Sequence, residues 1–236
     1  MGFIDEVKQI LSLVPADCRI SLFSATLKPE IRELADEFIS EVVLVMQEAK
    51  EEQAPAITEK IYFTGQESKY DTFLDVLMDE NPQSCMIFCG TREMTNVLFQ
   101  KLRRKQIFCG MLHGDMEQRE RLKTVDAFRR GGFRFLIATD VAARGIDFEE
   151  ISHVVNYDFP TGKETYVHRI GRTGRNGNSG TAVSLVTEND QRMLKQVETY
   201  LGRELPVTEP PVIGDEKERA FWKFQRIKAE RKPEKG

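Results

Sequence analysis

From Thr58 onward the chain repeats one pattern, a short unbroken apolar run followed by an amphipathic stretch, and that pattern leaves few folds open. The runs are Glu59–Thr64, CMIFC (85–89), IFCGML (107–112), FLIAT (135–139), SHVVNYD (152–158) and GTAVSLVT (180–187). Between them lie helical patterns. Ser68–Glu80 turns Phe73, Leu74 and Leu77 inward, and Thr91 caps a helix carrying Met94, Val97, Leu98 and Leu102. Met116–Arg130 carries Leu122, Val125 and Phe128 and is closed by Gly131; Glu188–Gly202 is the last. Strands that are apolar throughout are buried on both faces, so the expected fold is α/β, a parallel sheet flanked by helices. In such sheets ligands gather at the carboxyl ends of the strands, and all the site residues below are expected on that rim.

The two ends of the chain follow other rules. Residues 1–47 are expected to form helix, strand (Arg19–Ser24), helix, strand (VVLV, 42–45), with Ile4, Val7, Ile10 and Leu11 on one helical face. Four elements enclose no core of their own, which makes this stretch the remnant of a preceding α/β domain. Residues 48–57, acidic with a proline, are expected to be a linker, and 58–205 the main domain. Residues 206–236 lose periodicity; they form either an amphipathic helix carrying Phe221, Trp222, Phe224 and Ile227 or a disordered basic tail.

With 40% hydrophobic and 31% charged residues the 236-residue chain suits a soluble globular protein, and no apolar run approaches the ~20 residues of a membrane-spanning helix. The four cysteines lack metal-ligand spacing, so no metal site is expected and reduced core thiols point to the cytoplasm. The net charge of −4 hides an asymmetry. Residues 92–134 hold eleven Lys/Arg against five Asp/Glu, whereas residues 1–60 hold six against twelve. One surface is therefore suited to a polyanion, although a solvated charged face accounts for the same numbers.

Several short stretches carry chemistry. In HRIGRTGR (168–175), Arg172 and Arg175 are three apart and project from one side of a helix or turn, while Gly171 and Gly174 clear space for a ligand. Guanidinium groups so placed can clamp a transferring phosphoryl group. In ATDVAARGIDF (138–148), the Thr139 hydroxyl at a strand end can hold a phosphate. Asp147 can accept from ribose hydroxyls or orient the arginines, or it is simply a turn residue. In HGDMEQRERLKTVDAFRRG (113–131), Gln118 and Arg121 share one face at a helix N-terminus, which attracts phosphate. Ser24-Ala25-Thr26 by itself suits a helix cap.

Taken in order, LFSATL, MIFCGT, HGDMEQRER, ATDVAARGID and YVHRIGRTGR resemble motifs III, IV, IVa, V and VI of the DEAD-box RNA helicases. The resemblance runs from Met1 to about Leu205 and is bacterial in flavour. It implies a RecA-like second helicase domain preceded by the end of the first, and a machine driven by ATP with Mg²⁺ that remodels RNA, ribosomal RNA included, as a monomer. By the same resemblance Arg172 and Arg175 are the arginine fingers, and Asp147 and Gly145 lie against the nucleotide. Ser24, Thr26, His168 and Arg169 couple the ATP site to domain closure, and Arg92, Gly114, Gln118, Arg121 and Thr139 contact the RNA backbone. The chain contains neither GxxxxGK[ST] nor an Asp-Glu-Ala-Asp box, the parts that hold the phosphates and Mg²⁺ in such helicases. Hydrolysis by this chain alone is therefore expected to be negligible. A DNA helicase fits less well, because His168 and Gln118 depart from that pattern. A non-catalytic RNA-binding or regulatory domain stays open.

Overall fold

The structure is a computed structural model that describes residues 4–15, 18–23, 29–39, 41–45, 57–146, 148, 151–174, 178–218 and 221. The chain divides into two compact units, Met1–Glu51 and Glu52–Gly236. Ser24, Thr26, Asp147, Arg175 and most of the expected linker fall outside the described residues.

In the first unit, α1 (Ile4–Leu11) and α2 (Pro29–Phe38) form as the sequence predicts, with Pro29 opening α2 where its missing N–H costs nothing. The two expected strands do not appear: residues 19–23 and 41–45 carry no strand pairing. A strand exists only through a neighbour, and no described strand of this unit offers one. Their apolar side chains stay out of a core, with Phe23 93% and Val45 86% exposed. No residue of α1 is buried: of the apolar stripe read from Ile4, Val7, Ile10 and Leu11, Ile4 and Leu11 are half-buried, while Ile10 is 64% exposed.

The second unit is a sheet of six parallel strands in the order β1-β6-β5-β2-β4-β3. The strands are β1 (Ile57–Phe63), β2 (Cys85–Phe88), β3 (Cys109–Leu112), β4 (Phe135–Ala138), β5 (His153–Asn156) and β6 (Gly180–Val186). The helices are α3 (Lys69–Glu80), α4 (Arg92–Arg104), α5 (Gln118–Arg129), α6 (Asp140–Ala143), α7 (Lys163–Ile170) and α8 (Gln191–Leu201). Side chains alternate across the strands as the pleat requires. Tyr62, Ile87, Ile137 and Val155 pack with Phe73 and Leu77 of α3 and Leu98 and Leu102 of α4. Met86, Leu136 and Val154 pack on the other face, under Val125 and Phe128 of α5. Beside them Ile61, Ala182 and Val186 lie under Tyr166 and Ile170 of α7 and Leu194 and Val197 of α8.

The caps follow the sequence. The Thr91 side chain accepts from Met94 N at 3.1 Å, and Gly131 ends the α5 segment with φ 69°. Val97 and Leu122, read as core, are instead 48% and 59% exposed, because each helix presents a narrower stripe to the sheet than its apolar count implies. The thiols of Cys85, Cys89 and Cys109 are free and buried, and burial pushes Cys109 up to about 12.

The described part of the expected tail is docked on this unit. Ile61 N donates to Pro206 O (2.9 Å) and Thr208 N to Ile61 O (2.8 Å), which covers part of the open edge of β1. Residues 215–218 are helical, Lys217 pairs with Asp79, and Phe221 is fully buried beside Phe135 and the Arg134 guanidinium.

Candidate functional site

The strand order places β2 between β4 and β5, so the chain leaving the carboxyl end of β4 must travel the length of the sheet to begin β5 at the opposite rim. That connection, Thr139–Ser152, holds the ATDVAARGID stretch. Ala142, Ala143, Phe148 and Ile151 pack it over Met86 and Phe88, and the two alanines keep it close to the sheet. Gly145 takes φ +71°, a conformation only glycine adopts without strain, where the chain turns away from α6.

At the carboxyl rim three expected RNA-contacting turns lie side by side, following β2, β3 and β4, which are neighbours in the order β2-β4-β3. After β2 come Gly90, Thr91 and Arg92; after β3 come Gly114 and, at the start of α5, Gln118; after β4 comes Thr139. Gly114, Gln118 and Arg92 are exposed and Thr139 is half-buried. Arg92 pairs with Asp115 of the next turn and donates Nε to Glu93 at 2.6 Å, and these two carboxylates raise its pKa. Arg121 points inward along the rim. Its Nη2 donates to Ala142 O at 2.7 Å and to Arg144 O at 3.4 Å, so it holds the α6 turn in place.

Arg169 is the hub of the rim. It is 2% exposed and lies over the Phe88 ring at 4.9 Å. Nε and Nη2 grip both oxygens of Asp140 at 2.7 and 2.8 Å, and Nη1 donates to Asp158 O at 2.7 Å and Asn156 Oδ1 at 3.1 Å. The Asp158 carboxylate accepts from Gly90 N at 2.9 Å and pairs with the buried Lys69 at 2.7 Å. One polar network thus ties together the carboxyl ends of β2, β4 and β5. Sequence reasoning missed Lys69, Asp140, Asn156 and Asp158. Their only signal is polar residues at the ends of apolar runs, a pattern that solvated turns share. Arg169 is committed inside this unit, and only its exposed neighbour His168 presents a side chain outward.

The expectation that Arg172 shares the carboxyl rim with Thr139 and Gln118 is corrected. Helix α7 runs back against the strands, and its eight residues cover ~12 Å. Thr173, just beyond it, donates its hydroxyl to Ile151 O and lies 3.1 Å from Ser152 O, at the amino end of β5. A Cβ on Gly180, the first residue of β6, would lie 2.3 Å from the Thr173 hydroxyl, so only glycine lets this turn seat. From there Arg172 Nη1 donates to Ile146 O at 2.9 Å. The 139–152 connection therefore meets Arg121 near one rim and Arg172 nearer the other. Nearby, His153 and Lys60 hydrogen-bond the Glu80 carboxylate and hold it down at about 2, against the upward push of burial. Among the described residues no group of three His, Cys, Asp or Glu could hold a metal ion, so the Mg²⁺ that the resemblance implies has no ligand set there. No helix among them is long and apolar enough to cross a membrane.

Residues 68–177 match the family described as the helicase conserved C-terminal domain. The ATP-dependent RNA helicase DbpA of Bacillus subtilis is 43% identical over 211 residues, covering 89% of this chain and 44% of that protein. The chain thus spans about half the length of the curated relatives it matches. Among solved structures, Escherichia coli DEAD-box protein SrmB bound to the regulator of ribonuclease activity A is 35% identical. It has a TM-score of 0.62, covering 68% of this chain and 93% of that one. Saccharomyces cerevisiae Dbp5 bound to RNA and ADP BeF3 is 33% identical with a TM-score of 0.76, covering 97% of this chain and 59% of that one. The expected RecA-like fold is borne out by these neighbours.

Proposed function

Because the chain belongs to the DEAD-box helicase family, we propose that it supplies the RNA-gripping and arginine-finger half of an ATP-dependent RNA helicase. The observation that carries this reading is the Thr139–Ser152 connection, held near the carboxyl rim by Arg121 and met by Arg172 toward the other. RNA phosphates lie along the rim on Arg92, Gly114, Gln118 and Thr139, with Arg121 keeping the α6 turn in register. Arg172, joined by Arg175, reaches the γ-phosphate of an ATP whose cradle and Mg²⁺ belong to a partner lobe, with Gly145 and Asp147 against the nucleotide. Binding of both ligands draws the lobes together and strains a local RNA duplex; hydrolysis releases it.

Arg169 contributes indirectly, by fixing α7 to Asp140 and so relating the position of Arg172 to the RNA turn. His168 takes part in that coupling, and Ser24 and Thr26 provide its other side. Residues 1–47 are the end of the first lobe, 48–57 the linker and 58–205 the second lobe. The division of the chain near Glu51 supports that layout. The reading places a monomer in the cytoplasm, acting on RNAs such as ribosomal RNA.

The test joins this chain to a complete first lobe and measures RNA-stimulated ATP hydrolysis. Arg172→Ala is expected to lower kcat by ~10³-fold or more, since an arginine finger contributes that much to phosphoryl transfer. Full activity in Arg172→Ala would remove it from the catalytic role.

A further inference from the structure

The outer face of α8 and Lys163, the first residue of α7, line an open groove of about 990 Å³ that the motif residues do not touch. Its walls carry Lys163, Arg192 and Lys195, with Gln196, Thr199 and Tyr200 among the other lining residues and no carboxylate. On α8 the positions 192, 195, 196 and 199 fall on one face at spacings of three and four, while Leu194 and Val197 are buried on the other. The outward face is therefore a surface of its own, not core left uncovered.

The charges of the groove contrast with five other cations of the unit. Lys60, Lys69, Arg92, Arg169 and Arg203 each pair with a carboxylate. Lys163, Arg192 and Lys195 pair with none among the described residues, and the Lys163 ammonium rests on the Tyr200 ring at 4.9 Å. Acids on the same stretch are turned to other work: Glu198 accepts from Leu205 N at 3.0 Å, and Asp190 caps Thr187. Three convergent like charges repel one another and gain from any anion that bridges them. Tyr200, 48% exposed, adds an aromatic face.

A basic groove with an aromatic platform is the pattern that binds single-stranded nucleic acid, phosphates on the cations and a base on the ring. Topology places it on the path. Lys163 stands where the chain leaves the carboxyl end of β5, and α8 starts after the carboxyl end of β6, the rim on which the Gly90, Gly114 and Thr139 turns lie. We propose that the α7–α8 groove is a second contact surface for single-stranded RNA. It takes phosphates on Lys163, Arg192 and Lys195 and a base on Tyr200, beyond the stretch held by the rim, and so rests on the rim being RNA-facing.

The test is fluorescence anisotropy of the 236-residue chain with labelled single strands of about 5 and about 20 nucleotides, below and above the site of one such groove. Combining Lys163→Gln, Arg192→Gln and Lys195→Gln should weaken the long strand at least ~10-fold and flatten its salt dependence by ~2 in the log–log slope, as three lost phosphate contacts require. The short strand should keep its affinity within about twofold, because it fills only the rim. Tyr200→Ala should cost the long strand about fivefold or more, with Tyr200→Phe restoring it. An unchanged salt slope, or equal loss on both lengths, overturns the proposal. So does capture of polyglutamate by the groove cations without discrimination between the RNA lengths, which would assign the groove to an acidic protein segment. Should Arg92→Ala weaken both lengths while the triple variant weakens neither, the groove alone falls. Should the unaltered chain bind neither strand, the RNA-facing rim falls and the groove with it.

Discussion

The carboxyl rim and the α7–α8 groove handle positive charge in opposite ways. At the rim, Arg169 and Lys69 are buried and each is matched to a carboxylate; in the groove, Lys163, Arg192 and Lys195 are exposed and matched to none among the described residues. For Arg169 and Lys69, burial is what requires the pairing. A cation removed from water must be paired and fully hydrogen-bonded, and the pairing fixes geometry; a cation left in water can wait for a ligand. The rim charges therefore shape the site and the exposed charges are available to fill it. Arg169 and Arg172, three residues apart, are held differently: the first is buried on the Asp140 carboxylate, the second half-buried with Nη1 on the Ile146 carbonyl.

The largest expected effect that separates them is on catalysis, where Arg172→Ala costs ~10³-fold in kcat yet leaves urea unfolding of the chain within about 1 kcal/mol. Arg169→Met should do the reverse to stability, lowering it by ~3–5 kcal/mol because Asp140 is left half-buried without its partner. Equal stability losses in the two variants would dissolve the distinction. Phe221→Ala extends the comparison to a third guanidinium, that of Arg134. This group lies beside both the Phe135 and Phe221 rings, hydrogen-bonded to Asn81 and Pro82, and burial lowers its pKa to about 10. Opening that contact should cost ~3 kcal/mol of core packing, measured by thermal or urea unfolding, whereas a tail that merely lies nearby would leave stability unchanged.

The smallest expected effect concerns a buried anion. Glu80 has a folded pKa near 2 against an ordinary 4.5, held down first by His153 and then by Lys60. A depressed carboxylate stabilises the fold fully above pH ~4.5 and loses that contribution as pH falls toward 2, at most ~3 kcal/mol in all. Unfolding free energies measured from pH 6 to pH 2.5 should fall less steeply in Glu80→Gln than in the unaltered chain. Parallel slopes would show that Glu80 is not the group responsible.

Local sequence determined most of the second unit. Unbroken apolar runs alternating with amphipathic stretches require a two-sided parallel sheet, and Thr91 and Gly131 mark helix ends through chemistry confined to a few neighbouring residues. The chemistry-bearing stretches were legible for the same reason, being clusters of unusual residues within ten positions. What the sequence could not supply was which distant segments meet. Arg169 meets Asp140 across 29 positions, Lys69 meets Asp158 across 89, and Arg172 meets Ile146 across 26. The unpaired strands of residues 19–23 and 41–45 failed likewise, since a strand is a property of two segments. Periodicity records which face of an element is buried; strand order alone records against what, and that order was decided by the tertiary structure.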